Sequence, residues 1–111
     1  MQWIQLTNEQ QLQGIVEKSA ERPQVIFKHS TRCSISSVAL QRLEKGQAPF
    51  DVDFHLLDLI SYRALSNKVA QTFGVTHESP QVLIIKGGTC IFDESHLGIS
   101  MADIADQALA S

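Results

Sequence analysis

Cys33 sits in Lys28-His29-Ser30-Thr31-Arg32-Cys33-Ser34-Ile35-Ser36, a stretch that places a thiol among an imidazole, two cations and several hydroxyls. Val25-Ile26-Phe27, just upstream, is short, apolar and follows Pro23, which reads as a buried strand. From Ser34 the period changes, with Ile35, Val38, Ala39 and Leu43 recurring at three- and four-residue steps up to Lys45-Gly46. That stripe reads as a helix over residues 34–45, closed by a cation and a glycine. Cys33 therefore falls at a helix N-terminus, where unpaired N–H groups and the helix dipole stabilise a negative sulfur. The thiolate is the nucleophilic form of cysteine, so the position suits thiol–disulfide chemistry, with Arg32 and Lys28 adding positive charge. The alternative is an inert, buried cysteine acting as a small hydrophobe.

Cys90 is the second cysteine, and a bridge to Cys33 would need their Cα atoms within about 7 Å; otherwise it is a core or edge-strand residue. His29 could tune or deprotonate Cys33, or serve a structural role. His77 and Glu78 could contact substrate or shape their loop through hydrogen bonds. Ser95-His96 reads as a turn after a hairpin, His55 as an ordinary strand position, and Arg63 with Asn67 as a solvated helix face.

With 111 residues, 43% hydrophobic and 19% charged, the chain reads as one globular domain over residues 1–111. A net charge of −3 and the lack of a basic cluster argue against nucleic acid as a partner. No apolar run reaches membrane-spanning length, and Met1-Gln2-Trp3-Ile4-Gln5 lacks a secretion pattern, so a cytoplasmic location is expected. In that compartment two cysteines are thiols before they are a structural disulfide, and their spacing is no metal motif. Neither a metal nor a bound cofactor is expected.

Near the N-terminus, Trp3-Ile4-Gln5-Leu6 reads as a short edge strand. Thr7 and Gln10 read as a capping box for a helix carrying Leu12, Ile15, Val16 and Ser19. Strands are expected at 24–29 and 51–58, and a third helix on Leu65, Val69, Ala70 and Phe73, with Ser61 as its cap and Gly74 as its stop. Gln81-Val82-Leu83-Ile84-Ile85 is apolar enough for a strand covered on both faces. Lys86-Gly87-Gly88-Thr89 reads as a hairpin turn returning through Cys90-Ile91-Phe92. Ser100 and Asp103 cap a last helix whose Ile104, Ala105, Ala108 and Leu109 are expected inward. The order β-α-β-α-β-α-β-β-α predicts an α/β fold, a mixed central sheet with helices on both faces. Cys33 then lies at the carboxyl end of its strand, where such sheets place their sites.

In this arrangement the chain resembles the thioredoxin-like fold over nearly its whole length. More closely, Phe27-Lys28-His29-Ser30-Thr31 with Cys33, Ile35-Ser36, His77-Glu78-Ser79-Pro80-Gln81 and Ser95-His96 resemble the YtxJ-like family of the bacillithiol system, the monothiol bacilliredoxins. The resemblance implies that Cys33 attacks the mixed disulfide between a client protein's cysteine and bacillithiol, a small thiol. The S-thiolated client leaves reduced, and a second small thiol then frees Cys33. It also implies a cis peptide before Pro80 and a substrate strand lying along Ser79 and Pro80. Thr31, Arg32 and Ser34, flanking the sulfur in sequence, are expected as further substrate contacts, and His29 and Ser36 are candidate tuning groups. Two departures stand out. Many members have proline after the cysteine where this chain has Ser34, and Phe27 stands where thioredoxins tend to carry a buried acid. Ser36 occupies the place of a thioredoxin's second cysteine and cannot close a disulfide with Cys33. Two other functions fit the same residues: a redox-inert thioredoxin-like binding module, and a monothiol-glutaredoxin-like carrier holding an iron–sulfur cluster through Cys33.

Overall fold

The computed structural model describes residues 1–110. Five strands run β1 (Ile4–Gln5), β2 (Gln24–His29), β3 (Asp53–Asp58), β4 (Gln81–Lys86) and β5 (Thr89–Ser95), interleaved with helices α1 (Glu9–Lys18), α2 (Ser34–Lys45), α3 (Arg63–Phe73) and α4 (Met101–Leu109). A 3-10 turn, His96–Gly98, links β5 to α4. The sheet order is β1-β3-β2-β4-β5, with β1, β3 and β2 mutually parallel and β4 antiparallel to both of its neighbours, β2 and β5. This is the mixed α/β sheet that the alternation of elements predicts.

Every residue of β2 is buried because the strand lies between two cores. Val25 and Phe27 join Val82, Ile84, Ala39, Leu43 and Ile104 in one core, beneath α2 and α4. Ile26 joins Leu57, Leu83, Ile85, Leu12, Ile15, Leu65 and Val69 in the other, beneath α1 and α3. The two-residue period of a strand thus distributes alternate side chains to opposite layers. Lys28, on the Ile26 side of the strand, and His29, on the Phe27 side, are carried into the two layers by the same alternation.

Turn chemistry fixes the remaining geometry. Gly87 and Gly88 both have positive φ, 61° and 80°, as a two-residue hairpin between β4 and β5 requires. Gly74, at φ 65°, stops α3. Ser100 caps α4 by accepting the Asp103 N–H at 3.2 Å.

Several local expectations shift. The N-cap of α1 is Asn8, which accepts the Gln11 N–H at 2.9 Å, and the Gln11 side chain returns to the Thr7 N–H at 2.8 Å. The box is therefore one residue later than Thr7–Gln10, consistent with the strength of asparagine as a cap. The cap of α3 is Tyr62 and not Ser61; the Ser61 hydroxyl donates to Asp58 Oδ2, while Asp58 Oδ1 accepts the Ile60 N–H. On α2 the buried residues are Ser36, Ala39 and Leu43, whereas Ile35 and Val38 are exposed. The helix is turned so that a hydrogen-bonded serine takes the inward place that hydrophobicity alone would give to Ile35. Leu109 likewise points outward, and Met101 is the further buried residue on α4.

Candidate active site

Cys33 is the N-cap of α2, half-buried, with its carbonyl accepting the Ser37 N–H at 3.1 Å and its own N–H donating to the Ser30 carbonyl at 3.2 Å. The thiol itself makes no capping hydrogen bond, and the first turn of α2 carries no acidic side chain. An anion at Sγ thus faces the positive end of the helix dipole with no competing carboxylate in that turn. Thr31, Arg32 and Ser34 are all exposed around it. Among the described residues Arg32 forms no ion pair, which leaves its guanidinium available to an incoming group.

The loop at Ser79–Pro80 reaches the same end of the sheet. Lys28 is the register partner of Gln81, so the chain leaving β2 toward Cys33 and the chain entering β4 from Pro80 are neighbours. The Ser79–Pro80 peptide is cis, Pro80 is buried, and Ser79 is half-buried with a hydroxyl that has no hydrogen-bond partner. The Pro80 carbonyl accepts the His96 N–H at 3.0 Å, and His96 Nε2 lies 3.7 Å from Glu78 Oε2. Ser95-His96 therefore braces this loop as well as turning the chain. Exposed Ile35 and Val38 on α2 and Leu97, whose carbonyl accepts from Arg42 at 3.0 Å, give the site an apolar border. That border was hidden in the sequence because Ile35 and Val38 read equally well as an inward stripe.

His29 and Ser36 do not reach the sulfur through hydrogen bonds. The Ser36 hydroxyl, fully buried, lies 2.6 Å from His29 Nδ1 and accepts the Ser30 N–H at 3.0 Å. The His29 ring stacks on Phe27 at 5.9 Å, and burial lowers its pKa below the usual histidine value despite Asp58 and Glu44. These two residues tie the end of β2 to the first turn of α2.

Lys28 also departs from the expectation that its charge lies beside Cys33. Its side chain passes to the α3 layer, is wholly buried, and places Nζ 3.2 Å from His77 Nδ1, with Ser66 Oγ 3.4 Å from the same nitrogen. Burial brings the Lys28 ammonium down to about 8. His77 therefore shapes its loop from within the fold. Its pKa is lowered by burial and by the Lys28 and Arg63 charges, with Glu78 acting in the opposite sense.

Cys90 is placed at the other end of the sheet. It pairs with Ile85, which pairs in turn with Gln24 at the start of β2, whereas Cys33 follows the end of that strand. The length of β2, roughly 16 Å for six residues, separates the two sulfurs, beyond any disulfide span. Burial pushes the Cys90 thiol up, and Sγ donates to the Phe92 carbonyl at 3.3 Å. His55 is less ordinary than its strand position implies: it is buried, hydrogen-bonded through Nε2 to Gln24 Oε1 at 2.8 Å, and brought by burial to about 4. No cluster of three or more metal-ligating side chains occurs among the described residues, and no helix there is long and apolar enough to cross a membrane.

Comparison with known proteins agrees with this geometry. A solved structure described as having "a thioredoxin fold" superposes with a TM-score of 0.82 at 28% identity, covering 94% of this chain and 91% of its own. The thioredoxin of Trypanosoma brucei brucei aligns with a TM-score of 0.73 at 14% identity over 95% of this chain and 89% of that one. Mitochondrial thioredoxin 3 of Saccharomyces cerevisiae gives 0.70 at 18% over 96% and 92%. At such low identity the two thioredoxins speak for the fold alone. The family model described as "Monothiol bacilliredoxin BrxC" matches residues 4–104. A thioredoxin-like fold that presents one cysteine at the α2 N-terminus, with a serine three residues on, is what a monothiol redox protein needs, and this chain belongs to the monothiol bacilliredoxin family.

Proposed function

We propose that the chain, acting as a single domain in the cytoplasm, is a monothiol thiol–disulfide oxidoreductase that removes bacillithiol, or a related low-molecular-weight thiol as co-substrate, from S-thiolated client proteins through Cys33. The Cys33 thiolate attacks the bacillithiol sulfur of the mixed disulfide. A bond forms between Cys33 Sγ and that sulfur as the bond to the client breaks, and the client leaves as a thiolate that takes a proton from water. A second bacillithiol, as its thiolate, then attacks the bound bacillithiol sulfur, releasing the small-molecule disulfide and restoring Cys33. Overall the mixed disulfide and one free bacillithiol become the client thiol and the bacillithiol disulfide, so the incoming thiol takes the client's place in the disulfide bond, and no metal or bound cofactor takes part.

The observation that carries this reading is the placement of the two sulfurs, Cys33 at the N-cap of α2 and Cys90 a full strand length away. That separation supports exchange by one protein cysteine, with an external thiol to resolve it. In this reading Thr31, Arg32 and Ser34 contact the small thiol, and an extended client segment lies along Ser79 and Pro80, while His29 and Ser36 hold the Cys33 turn. The test is release of bacillithiol from a client carrying a defined mixed disulfide, followed by mass spectrometry. Cys33→Ser is expected to abolish release and Cys90→Ser to keep most of it; a large loss in Cys90→Ser would overturn the monothiol mechanism.

A further inference from the structure

Lys28 is the largest charged side chain sealed inside the protein, and its position has a consequence for the edge at Ser79–Pro80. It is wholly inaccessible, and among the described residues no carboxylate pairs with it; its hydrogen-bond partner is His77 Nδ1 at 3.2 Å. Burying an ammonium without a counter-ion is costly, and an apolar side chain of the same length would avoid that cost. The location is specific. His77 lies two residues before Ser79, in the segment between α3 and β4, and Ser66 of α3 approaches the same ring nitrogen at 3.4 Å. Gln81, the register partner of Lys28 and also buried, donates through Nε2 to the Thr76 carbonyl at 3.0 Å. The segment 76–80 is thus held from behind at two successive residues, Thr76 and His77, by side chains of the two adjacent strands.

A lysine ammonium can only donate, so an Nδ1 facing it must offer its lone pair. The ring is then neutral, with its proton on Nε2. An imidazolium would set two donors against each other.

We propose that Lys28 is a positioning residue: by donating into His77 Nδ1 it fixes that ring in one tautomer and locks Thr76–Ser79, and so sets the edge on which the client segment lies. This inference rests on the client-reducing function above for its kinetic consequence, but not for its structural one. Lys28 touches neither substrate nor sulfur. Its removal weakens the productive docking of a client while leaving the reactivity of Cys33 unchanged.

The test uses the full chain with Lys28→Met, His77→Ala and the double variant. In nitrogen-15 NMR of the histidine rings, wild-type His77 is expected to show an unprotonated, hydrogen-bonded Nδ1 and a protonated Nε2. Lys28→Met is expected to mix the tautomers and to raise the titration midpoint of His77, since Arg63 and Glu78 remain as the other charges facing it. With a client carrying a bacillithiol mixed disulfide, KM is expected to rise at least fivefold in Lys28→Met with kcat changed less than twofold. Alkylation of Cys33 by iodoacetamide is expected to keep its wild-type rate. The double variant is expected to be no worse than His77→Ala, because the two residues act as one unit. Unchanged His77 resonances in Lys28→Met, or additive losses in the double variant, would overturn the proposal. A wild-type protein that releases no bacillithiol would overturn the functional reading instead, and the ring resonances with amide exchange at residues 76–79 would still decide the role of Lys28. Faster exchange there in Lys28→Met supports it, and unchanged exchange overturns it.

Discussion

Ser36 Oγ lies 2.6 Å from His29 Nδ1 while accepting the Ser30 N–H at 3.0 Å, so one buried hydroxyl joins the end of β2 to the first turn of α2. The Cys33 turn is closed by that joint. Ser36→Ala leaves two polar groups without their partner, one of them on a buried ring, at a cost of about 1–3 kcal/mol. Thermal unfolding is expected to show a fall of several degrees for a chain of this size. An unchanged melting temperature would mean that water replaces the hydroxyl without loss.

The two cysteines are expected to differ in reactivity. Cys90 is half-buried, its thiol is pushed up by burial, and its sulfur donates to Phe92. Cys33 faces a helix N-terminus with no acid in the first turn. At pH 7 iodoacetamide is expected to label Cys33 at least ten times faster than Cys90, as read by peptide mapping. Equal rates would remove the case for Cys33 as an activated nucleophile.

Acid is expected to weaken the fold through His55. Burial holds its folded pKa at about 4, below the value near 6.5 of an exposed imidazole, with Asp53 opposing and Lys18 assisting. Between those values the unfolded chain binds a proton that the folded one refuses, so stability is complete above about pH 6.5 and falls as the pH drops toward 4. The loss attributable to this ring is about 2–3 kcal/mol. His55→Gln, whose amide can still donate to Gln24, is expected to show a smaller loss in urea unfolding between pH 7 and 4.5. His29 and His77 contribute in the same direction in both proteins and cancel in the comparison.

Alkali acts oppositely on Lys28. Its folded pKa of about 8 lies below the ordinary 10.5, so the cost of the buried ammonium is fully present below pH 8 and is relieved as the pH rises toward 10.5. Lys28→Met is expected to be more stable than wild type by up to about 3 kcal/mol at pH 7. That advantage is expected to shrink at pH 9.5 in urea unfolding. A variant less stable than wild type at pH 7 would show that the ammonium's hydrogen bond outweighs its burial.

Gly46, which ends α2 with an ordinary φ of −80°, is a glycine for reasons of space. A Cβ there would stand 2.6 Å from Met101 Cβ, where the end of α2 meets α4. Gly46→Ala is expected to destabilise by about 1–3 kcal/mol through overpacking, measurable by thermal melting, while exchange at Cys33 keeps its rate.

The order of elements was legible because periodicity switches cleanly at Ser34, Ser61 and Gln81, and because Gly74 and Gly87-Gly88 mark their turns. The place of Cys33 at a helix N-terminus was legible for the same reason. The face of α2 was not. Hydrophobicity ranks Ile35 above Ser36, yet a serine with two buried hydrogen bonds is at no disadvantage inside, and one residue of rotation puts Ile35 and Val38 at the surface. Lys28 reads as a charge beside the sulfur because sequence distance is blind to strand alternation, which sends neighbours to opposite layers. The partners of His77 and His55 could not be read either, since both depend on register between elements far apart in the chain.

The distance between Cys33 and Cys90 also decides what an oxidised molecule weighs. With two cysteines in the chain and no span that joins them, a disulfide at Cys33 must include a sulfur from another molecule. A dithiol protein loses two hydrogens on oxidation and conceals what it last reacted with. Here every such molecule carries its passenger, and the gain in intact mass names it.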